Sequence, residues 1–353
     1  MRERLRIGMI GCGEIGVATA RGIEGAGRAA HVMVMDRDER LAADMGAKYG
    51  IPWTADTAEI LANPKVDAVY IAVPHHLHAP LTIEALEAGK HVLVEKPIAT
   101  TLAGADAMIA AARARSRLLS VAFLAQVDDR IIAVRRLIER GAIGRVVATR
   151  IVARLDKPES YWSGGYSGRA SGDWRVSRST AGGGILIMNT SHDLNTVRFV
   201  TGLEVDRVFS EFDTYVTPVE VEDFIGLTYR YRGGAIGTLE AGSAVRGRDP
   251  AREVDRIYGE HGQILLGGAP EVYVVEGFED LGPGRWQPVG GDRSERADER
   301  VALIDGFASA ALDGHAPPVT GEDARAVLEI VVAAYHSGRT HQPVHLPFRE
   351  SGD

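Results

Sequence analysis

The chain has 353 residues, a formal net charge of -8 and an apolar content of 45%. This length favours two domains at about 150 residues each, and the apolar content is ordinary for a globular protein with a buried core. The negative charge argues against a nucleic-acid partner. The single cysteine, Cys12, excludes an internal disulfide, and no apolar run approaches the ~18 residues of a membrane span. We therefore expect a soluble, cytoplasmic protein.

The amino-terminal stretch carries a dinucleotide-binding fingerprint. An apolar run, residues 5–10, leads into the glycines Gly11, Gly13 and Gly16 at GxGxxG spacing, and a helical pattern follows. Gly11 permits the tight turn out of the strand, Gly13 lets the backbone approach a pyrophosphate, and Gly16 lets the helix pack on the strand. The start of the helix offers N–H groups and a positive dipole end to phosphates.

A second apolar run, residues 31–35, ends at Asp36, twenty residues beyond the last of those glycines. A carboxylate at this place can accept hydrogen bonds from an adenosine ribose hydroxyl and repels a 2′-phosphate. The sequence therefore predicts NAD rather than NADP as cofactor, although the neighbouring Arg37 weakens that preference.

Strand and helix patterns then alternate as far as Phe123. The predicted strands are 66–73, 91–94 and 118–123, and the predicted helices are 37–50, 56–61, 77–88 and 99–115. Such alternation is typical of a parallel, doubly wound sheet, in which ligands bind at the carboxyl ends of the strands. Polar clusters at residues 74–78 and 95–97 follow two of these strands, so we expect them to lie beside the glycine turn and Asp36.

The second part of the chain has a different pattern. Strands are predicted at 146–153, 205–215, 223–231, 235–241, 253–259, 262–266 and 271–276, with helices at 130–140, 193–200, 300–312 and 323–336, and a surface loop at 281–296. Successive strands imply a mainly antiparallel sheet. We therefore predict an α/β fold made of a Rossmann domain, residues 1–123, and an α+β domain with an open sheet, residues 124–353.

Residues 155–184 form a long stretch with little periodicity, and loops of this length are usually functional or disordered. It places aromatic residues, Trp162 and Trp174 among them, beside cations such as Arg175. Aromatic faces can stack on a sugar or a nicotinamide, and arginines can hold phosphates or hydroxyls. The alternative is an arm that packs on a neighbouring subunit.

Two residues are candidates for proton chemistry. Lys96 ends a buried strand beside the predicted cofactor cleft, where a lysine can donate a proton or orient a hydroxyl. His192 begins a helix and could remove the proton of an alcohol as hydride leaves carbon. A metal site at His75, His76 and His78 is not expected, because no carboxylate or thiolate set converges there.

In this order of motifs the sequence resembles the Gfo/Idh/MocA oxidoreductase family. The motifs are GMIGCGEIG, AVPHHLH, HVLVEKP, the GGG that precedes His192, and a carboxyl-terminal stretch that begins VTGEDARAVLEIV. The resemblance implies that Lys96 is a catalytic lysine, that His192 is an acid or base, and that the open sheet pairs in a homodimer or homotetramer. Two positions depart from the pattern: Met188 replaces an aspartate, with Asn189 next to it, and Gln126 replaces an arginine.

These observations give one predicted site. The cofactor residues are Gly11, Gly13, Glu14, Ile15, Gly16, Asp36, Arg37, Ala72, Pro74, His75, His78, Glu95, Lys96, Pro97 and Gln126; the substrate residues are Lys96, Trp162, Trp174, Arg175, Asn189 and His192. The predicted function is NAD-dependent transfer of hydride to or from a secondary hydroxyl of a sugar, cyclitol or sugar derivative. The alternatives are an NAD-dependent glycoside hydrolase or lyase that uses transient oxidation, and a non-catalytic dinucleotide-binding sensor.

Overall fold

The computed structural model describes residues 3–247, 253–290 and 298–349. The chain divides into two compact units. The first comprises Met1–Leu124, Pro158–Gly182 and Ala297–Ala326, and the second comprises Ala125–Lys157, Gly183–Arg296 and Val327–Asp353. The predicted boundary lies between residues 123 and 124, and the chain first passes from one unit to the other between Leu124 and Ala125. Two segments that the sequence assigned to the second domain, Pro158–Gly182 and Ala297–Ala326, pack with the first unit instead.

The regular elements follow the predicted order. The strands are β1 (Leu5–Ile10), β2 (Ala29–Met35), β3 (Trp53–Thr54), β4 (Ala68–Ile71), β5 (His91–Val94), β6 (Leu119–Val121), β7 (Val146–Arg154), β8 (Val205–Asp213), β9 (Phe224–Tyr231), β10 (Ile236–Gly242), β11 (Arg256–Gly259), β12 (Gly262–Leu265), β13 (Glu271–Val274), β14 (Trp286–Pro288) and β15 (Val344–His345). The α-helices are α1 (Glu14–Gly25), α2 (Glu39–Tyr49), α3 (Thr57–Ala62), α4 (His78–Glu87), α5 (Leu102–Arg115), α6 (Asp129–Glu139), α7 (Tyr161–Gly164), α8 (Arg178–Ala181), α9 (Ser191–Thr201), α10 (Glu299–Asp313) and α11 (Gly321–Thr340).

The first unit contains a parallel sheet in the order β3-β2-β1-β4-β5-β6, which confirms the predicted Rossmann fold. The register aligns the strand ends, since Ile10 pairs with Met35 on one side and with Ile71 on the other, and Ile71 pairs with Val94. All four residues of β4 are buried, as expected for a strand covered on both faces. The residues that follow these four strands therefore emerge at one edge of the sheet.

The helix ends show why the sequence folds this way locally. Asp38 caps α2 by accepting hydrogen bonds from the amides of Arg40 and Leu41, and Gly50 ends that helix in the left-handed conformation. Thr101 caps α5 in the same manner. The short strand β3 was not predicted, because two residues are too few to give a periodic pattern.

The last part of the first unit returns from the far end of the chain. Asp305 in α10 accepts hydrogen bonds from the amides of Gly27 and Arg28, at 3.1 and 2.7 Å. Ser120 in β6 donates to the carbonyl oxygen of Val319 at 2.7 Å. These long-range bonds explain why this segment belongs to the first unit.

The second unit contains a nine-stranded sheet, counted over the described residues, in the order β14-β13-β12-β11-β7-β10-β9-β8-β15. Its neighbouring strands are antiparallel except for β7 and β10, which confirms the predicted mainly antiparallel sheet. A cluster that includes Val134, Ile143, Ile257, Ile264 and Val272 forms a core beneath β11 to β13.

One part of the prediction for the second unit was wrong. Strand β14 lies inside the predicted surface loop 281–296 and pairs with β13; the polar, glycine-rich sequence around it concealed this edge strand. Residues 291–296 of that loop lie outside the described residues. Among the described residues, no helix combines the length and apolarity needed to cross a bilayer.

Candidate active site

The glycine turn between β1 and α1 is built as the fingerprint requires. Gly11 has a φ of 101°, and a Cβ atom there would clash with the carbonyl oxygen of Ala72. Asp36 closes the turn from the side: one carboxylate oxygen accepts from the amide of Cys12 at 2.7 Å and the other from the amide of Asp38 at 2.9 Å. Asp36 therefore fixes the loop and also lies at the end of β2, where a ribose would bind. Burial of Cys12 raises the pKa of its thiol to about 12.

The start of α1 fits a dinucleotide pyrophosphate. Gly13 is the N-cap residue and has no side chain that could cap the helix, so the first-turn amides can donate to an anion. The Glu14 carboxylate accepts a hydrogen bond from the amide of Tyr166 at 3.1 Å. Ile15 is 44% exposed. The residues present therefore fit a cradle in which backbone N–H groups, rather than side chains, would meet the phosphates.

The segment Pro158–Gly182, which we call the arm, packs on this turn. Arg169 donates from Nε to the carbonyl oxygen of Cys12 at 2.9 Å. The Trp174 ring lies 4.6 Å from the ring of His75, and the Arg175 guanidinium lies 4.5 Å from the Trp174 ring. The arm thus contacts the rest of the first unit. These contacts place Arg169, Trp174 and Arg175 beside the predicted cofactor residues. Trp162 is only 4% exposed and packs inside the arm.

A buried network includes Glu95, the residue that precedes Lys96. Glu95 Oε1 accepts hydrogen bonds from the Tyr70 hydroxyl and from Arg300, both at 2.7 Å. Arg300 also donates to the Tyr70 hydroxyl at 2.7 Å and to Thr19 at 3.3 Å. Burial alone would lower the pKa of Arg300, but electrostatic interactions with Tyr70 and Glu95 and the hydrogen bond to Glu95 raise it. Glu95, predicted to bind the cofactor, uses this oxygen to fix the turn that carries Lys96.

Two histidines connect the turns at the edge of the sheet. His78 contacts the carbonyl oxygen of Pro97 through Nδ1 at 2.7 Å and that of Val73 through Nε2 at 3.0 Å. His75 contacts the carbonyl oxygen of Ala181 in the arm at 2.8 Å. Burial lowers the pKa of both imidazoles. His78 therefore lies between the backbone of Val73 and that of Pro97, and a neutral ring can donate to only one of these two oxygens. His75 joins the turn after β4 to the arm.

Within residues 3–247, 253–290 and 298–349, no three His, Cys, Asp or Glu side chains converge as metal ligands do. His75 and His78 have backbone partners instead.

In the second unit, a buried carboxylate organises the segment that leads to His192. Glu222 accepts hydrogen bonds from the amides of Gly184 and Leu186, at 2.6 and 3.0 Å, and from the Tyr335 hydroxyl at 2.8 Å. Burial raises the pKa of Glu222, while these three hydrogen bonds oppose the increase. A Cβ atom on Gly184 would clash with the main-chain oxygen of Glu222. Gly184 is therefore required by the close approach of the Glu222 backbone.

A π-helical turn, Leu186–Thr190, follows and joins α9. Such turns are rare and are frequent at functional sites. Met188 is 3% exposed, whereas Asn189 is partly exposed and accepts a hydrogen bond from Lys157 Nζ at 2.6 Å. Nearby, Gln126 donates to Asn195 at 3.2 Å. The position that the family aspartate would occupy is thus held by an apolar side chain, and the neighbouring amide has a lysine partner.

The predicted residues divide between the units. The first unit holds the fingerprint, Asp36, Arg37, residues 72–78, residues 95–97, Trp162, Trp174 and Arg175; the second holds Gln126, Asn189 and His192. Arg300, Glu222 and the lysine bond to Asn189 were not predicted from the sequence. Local patterns cannot reveal such partners, because Arg300 and Glu95 are 205 residues apart in the chain.

Comparisons with known proteins agree with this architecture. Residues 5–123 match a family model described as "Oxidoreductase family, NAD-binding Rossmann fold", and residues 131–265 match the GFO/IDH/MocA C-terminal domain. A myo-inositol 2-dehydrogenase of Thermotoga maritima is 29% identical, over 97% of this chain and 98% of its own length. A scyllo-inositol 2-dehydrogenase (NAD(+)) of Bacillus subtilis is 27% identical, over 99% of each chain.

The structure is also similar to solved structures. That of a levoglucosan dehydrogenase in complex with NADH and levoglucosan has a TM-score of 0.86 and 25% sequence identity, and the match covers 98% of this chain and 100% of that one. Both family models, taken together, extend over most of the sequence. The chain belongs to the GFO/IDH/MocA family of oxidoreductases with an NAD-binding Rossmann fold.

Proposed function

We propose that this protein is an NAD-dependent dehydrogenase that acts on a secondary hydroxyl of a sugar, cyclitol or sugar derivative. The observation that carries the proposal is the position of Lys96. It follows β5, whose end is aligned with the ends of β1, β2 and β4, so it emerges at the same sheet edge as the glycine turn. The named relatives, which are dehydrogenases of inositols and of levoglucosan, support this class of substrate.

The proton chemistry is assigned to two side chains. The ammonium group of Lys96 would hydrogen-bond the reacting oxygen and polarise it. His192 would accept the hydroxyl proton during oxidation and return it during reduction. Bound NAD supplies the hydride acceptor. The turn at Lys96 is held by Glu95 and Arg300, so the lysine has a fixed origin from which to reach the substrate.

The preference for NAD is assigned to Asp36. Its carboxylate is already the acceptor for two amides, and it retains lone pairs for a ribose hydroxyl. A 2′-phosphate at this place would meet a negative charge. Trp174 and Arg175 in the arm are assigned to the substrate or the nicotinamide, because the arm contacts the glycine turn and His75.

The experiment is a screen of sugars, cyclitols, sugar acids and nucleotide sugars for NADH formation, run with NAD and with NADP. On the best substrate, Lys96→Ala and His192→Asn should each reduce kcat by about 10²-fold or more. Lys65→Met and His261→Asn replace exposed residues of the same types and should leave kcat unchanged. Unchanged activity in both active-site variants would show that the assignment is wrong.

Product analysis separates this proposal from transient oxidation. Stoichiometric NADH supports net dehydrogenation, whereas cleavage of a glycoside with NAD regenerated would identify a hydrolase or lyase. Dinucleotide binding without any turnover would instead point to a sensor.

We also propose a homo-oligomer that works in the cytoplasm. The strand register puts Phe209, Ile236, Tyr258, Tyr273 and Trp286 on one face of the nine-stranded sheet, and Phe209, Ile236 and Trp286 are 36%, 47% and 36% exposed. Exposed large apolar side chains on one face of a sheet favour an interface between subunits. Light scattering should give the mass of a dimer or tetramer, and Ile236→Asp should shift it toward the monomer.

A further inference from the structure

The hydrogen bond between Lys157 and Asn189 fixes the direction of an amide. Lys157 follows β7, is only 4% exposed, and its backbone amide donates to the carbonyl oxygen of Ser243 at 2.8 Å. Its Nζ donates to Asn189 Oδ1 at 2.6 Å. An ammonium group can only donate, so the oxygen of Asn189 must face the lysine. The amide cannot rotate by 180° without bringing its NH₂ group against a cation.

The other end of the amide is therefore a donor. Within the described part of the chain, Asn189 Nδ2 makes no hydrogen bond, and it is not among the buried polar atoms that lack a partner. In the run 183–191, Asn189 is the one residue that is not buried. It lies three positions before His192, the proposed acid or base. Lys157 thus presents the NH₂ group of Asn189 outward, next to the start of α9.

We propose that Asn189 is a specificity-determining hydrogen-bond donor to an acceptor oxygen of the substrate, and that Lys157 is the residue that positions it. This inference rests on the proposed function. At the neighbouring position, the resemblance to the family implies an aspartate, which can only accept hydrogen bonds when ionised. Met188 and the Lys157–Asn189 pair reverse that polarity. The substrate is recognised here through a lone pair, as on a hydroxyl, carbonyl or carboxylate oxygen, and not through a hydroxyl proton.

The test uses deoxy and deoxyfluoro analogues of the best sugar or cyclitol found in the screen. A carbon-bound fluorine can accept a hydrogen bond but cannot donate one, and a deoxy position can do neither. At one ring position, the wild-type protein should turn over the fluoro analogue with a kcat/KM about twofold above that of the deoxy analogue, the lower end of the range for one hydrogen bond because carbon-bound fluorine is a weak acceptor. The difference should appear mainly in KM, because the contact does not involve the reacting atoms.

Two variants distinguish a positioning role from a merely structural one. Asn189→Asp keeps a partner for Lys157 but replaces the donor by an acceptor. The kcat/KM of the fluoro analogue should therefore fall to that of the deoxy analogue, while turnover of the parent sugar is retained. Lys157→Met should lower the ratio of fluoro to deoxy activity toward one, because the amide is then free to rotate. Lys65→Met, an exposed lysine of the first unit, should keep the wild-type ratio.

The outcomes are separable. Loss of the fluoro preference in Asn189→Asp supports the inference. If the wild type, Asn189→Asp and Lys157→Met all turn over the parent sugar and show the same ratio of fluoro to deoxy activity, the inference is overturned. The proposed function then still stands. If no sugar or cyclitol gives NADH with the wild-type protein, the proposed function fails, and the inference fails with it.

Discussion

Arg300→Met should destabilise the first unit strongly, although Arg300 lies far from the fingerprint in sequence. The side chains of Arg300 and Glu95 are 14% and 11% exposed, and their charged atoms are 2.7 Å apart. Removal of one partner from a buried ion pair costs about 3–5 kcal/mol, because the other charge stays buried. Methionine keeps most of the apolar volume, so the packing loss is small. We therefore expect the free energy of unfolding to fall by about 3 kcal/mol.

Urea denaturation, followed by fluorescence at pH 7.5, measures this change. Arg113→Met is the matched control, since Arg113 and Glu322 form an ion pair in the same unit with side chains that are 71% and 53% exposed; such a pair contributes about 0–1 kcal/mol. Adding Glu95→Gln to Arg300→Met should recover about 1 kcal/mol or more, because it removes the unpaired charge. If Arg300→Met and Arg113→Met lower the free energy of unfolding by equal amounts, the network does not stabilise the turn at Lys96.

Three further predictions concern other parts of the molecule. Asp36→Ala should raise KM for NAD about tenfold and reduce the discrimination against NADP, which steady-state kinetics with both cofactors will measure; an unchanged ratio would contradict the assignment. Burial lowers the pKa of His31 from 6.5 to about 4. The unfolded chain therefore binds a proton at higher pH than the folded chain, and the stability present above pH 6.5 is lost as the pH falls toward 4. His31→Phe should remove up to about 2 kcal/mol of the loss between pH 7.5 and 5, as read from urea midpoints at the two pH values, and an identical pH profile would refute this. Gly184→Ala should lower the free energy of unfolding by about 1–3 kcal/mol through its clash with Glu222. Gly233→Ala, where a Cβ atom has open space, should be tolerated, and thermal melts of both variants will measure the difference.

The sequence predicts the part of the site that depends on local spacing. The GxGxxG turn, Asp36 at the end of β2 and Lys96 at the end of β5 all follow from strand and helix periodicity, because parallel strands bring their carboxyl ends to one edge. Partners distant in sequence could not be predicted in this way. Glu222 reaches Gly184 across 38 residues, and a single buried carboxylate leaves no periodic signal.

The arm shows the same limit for the division into units. Its aromatic and basic residues indicated binding or packing, but the surface that it would contact was open. In the structure it packs on its own chain: Arg169 donates to Cys12 in the glycine turn, and the carbonyl oxygen of Ala181 contacts His75 after β4. Composition therefore predicted an interacting segment, and only the long-range hydrogen bonds determined with what it interacts.

The assignment of the arm and of α10 to the first unit also affects how this protein can be dissected and made. The polypeptide passes from one unit to the other after residues 124, 157, 182, 296 and 326, so neither unit is a contiguous piece of the gene. A fragment that stops at residue 124 contains the whole fingerprint, yet it lacks the arginine that neutralises Glu95 and the arm that covers the glycine turn. During synthesis, Glu95 cannot form its ion pair until Arg300 has been added to the chain. A usable cofactor-binding fragment would need all three segments joined by new linkers.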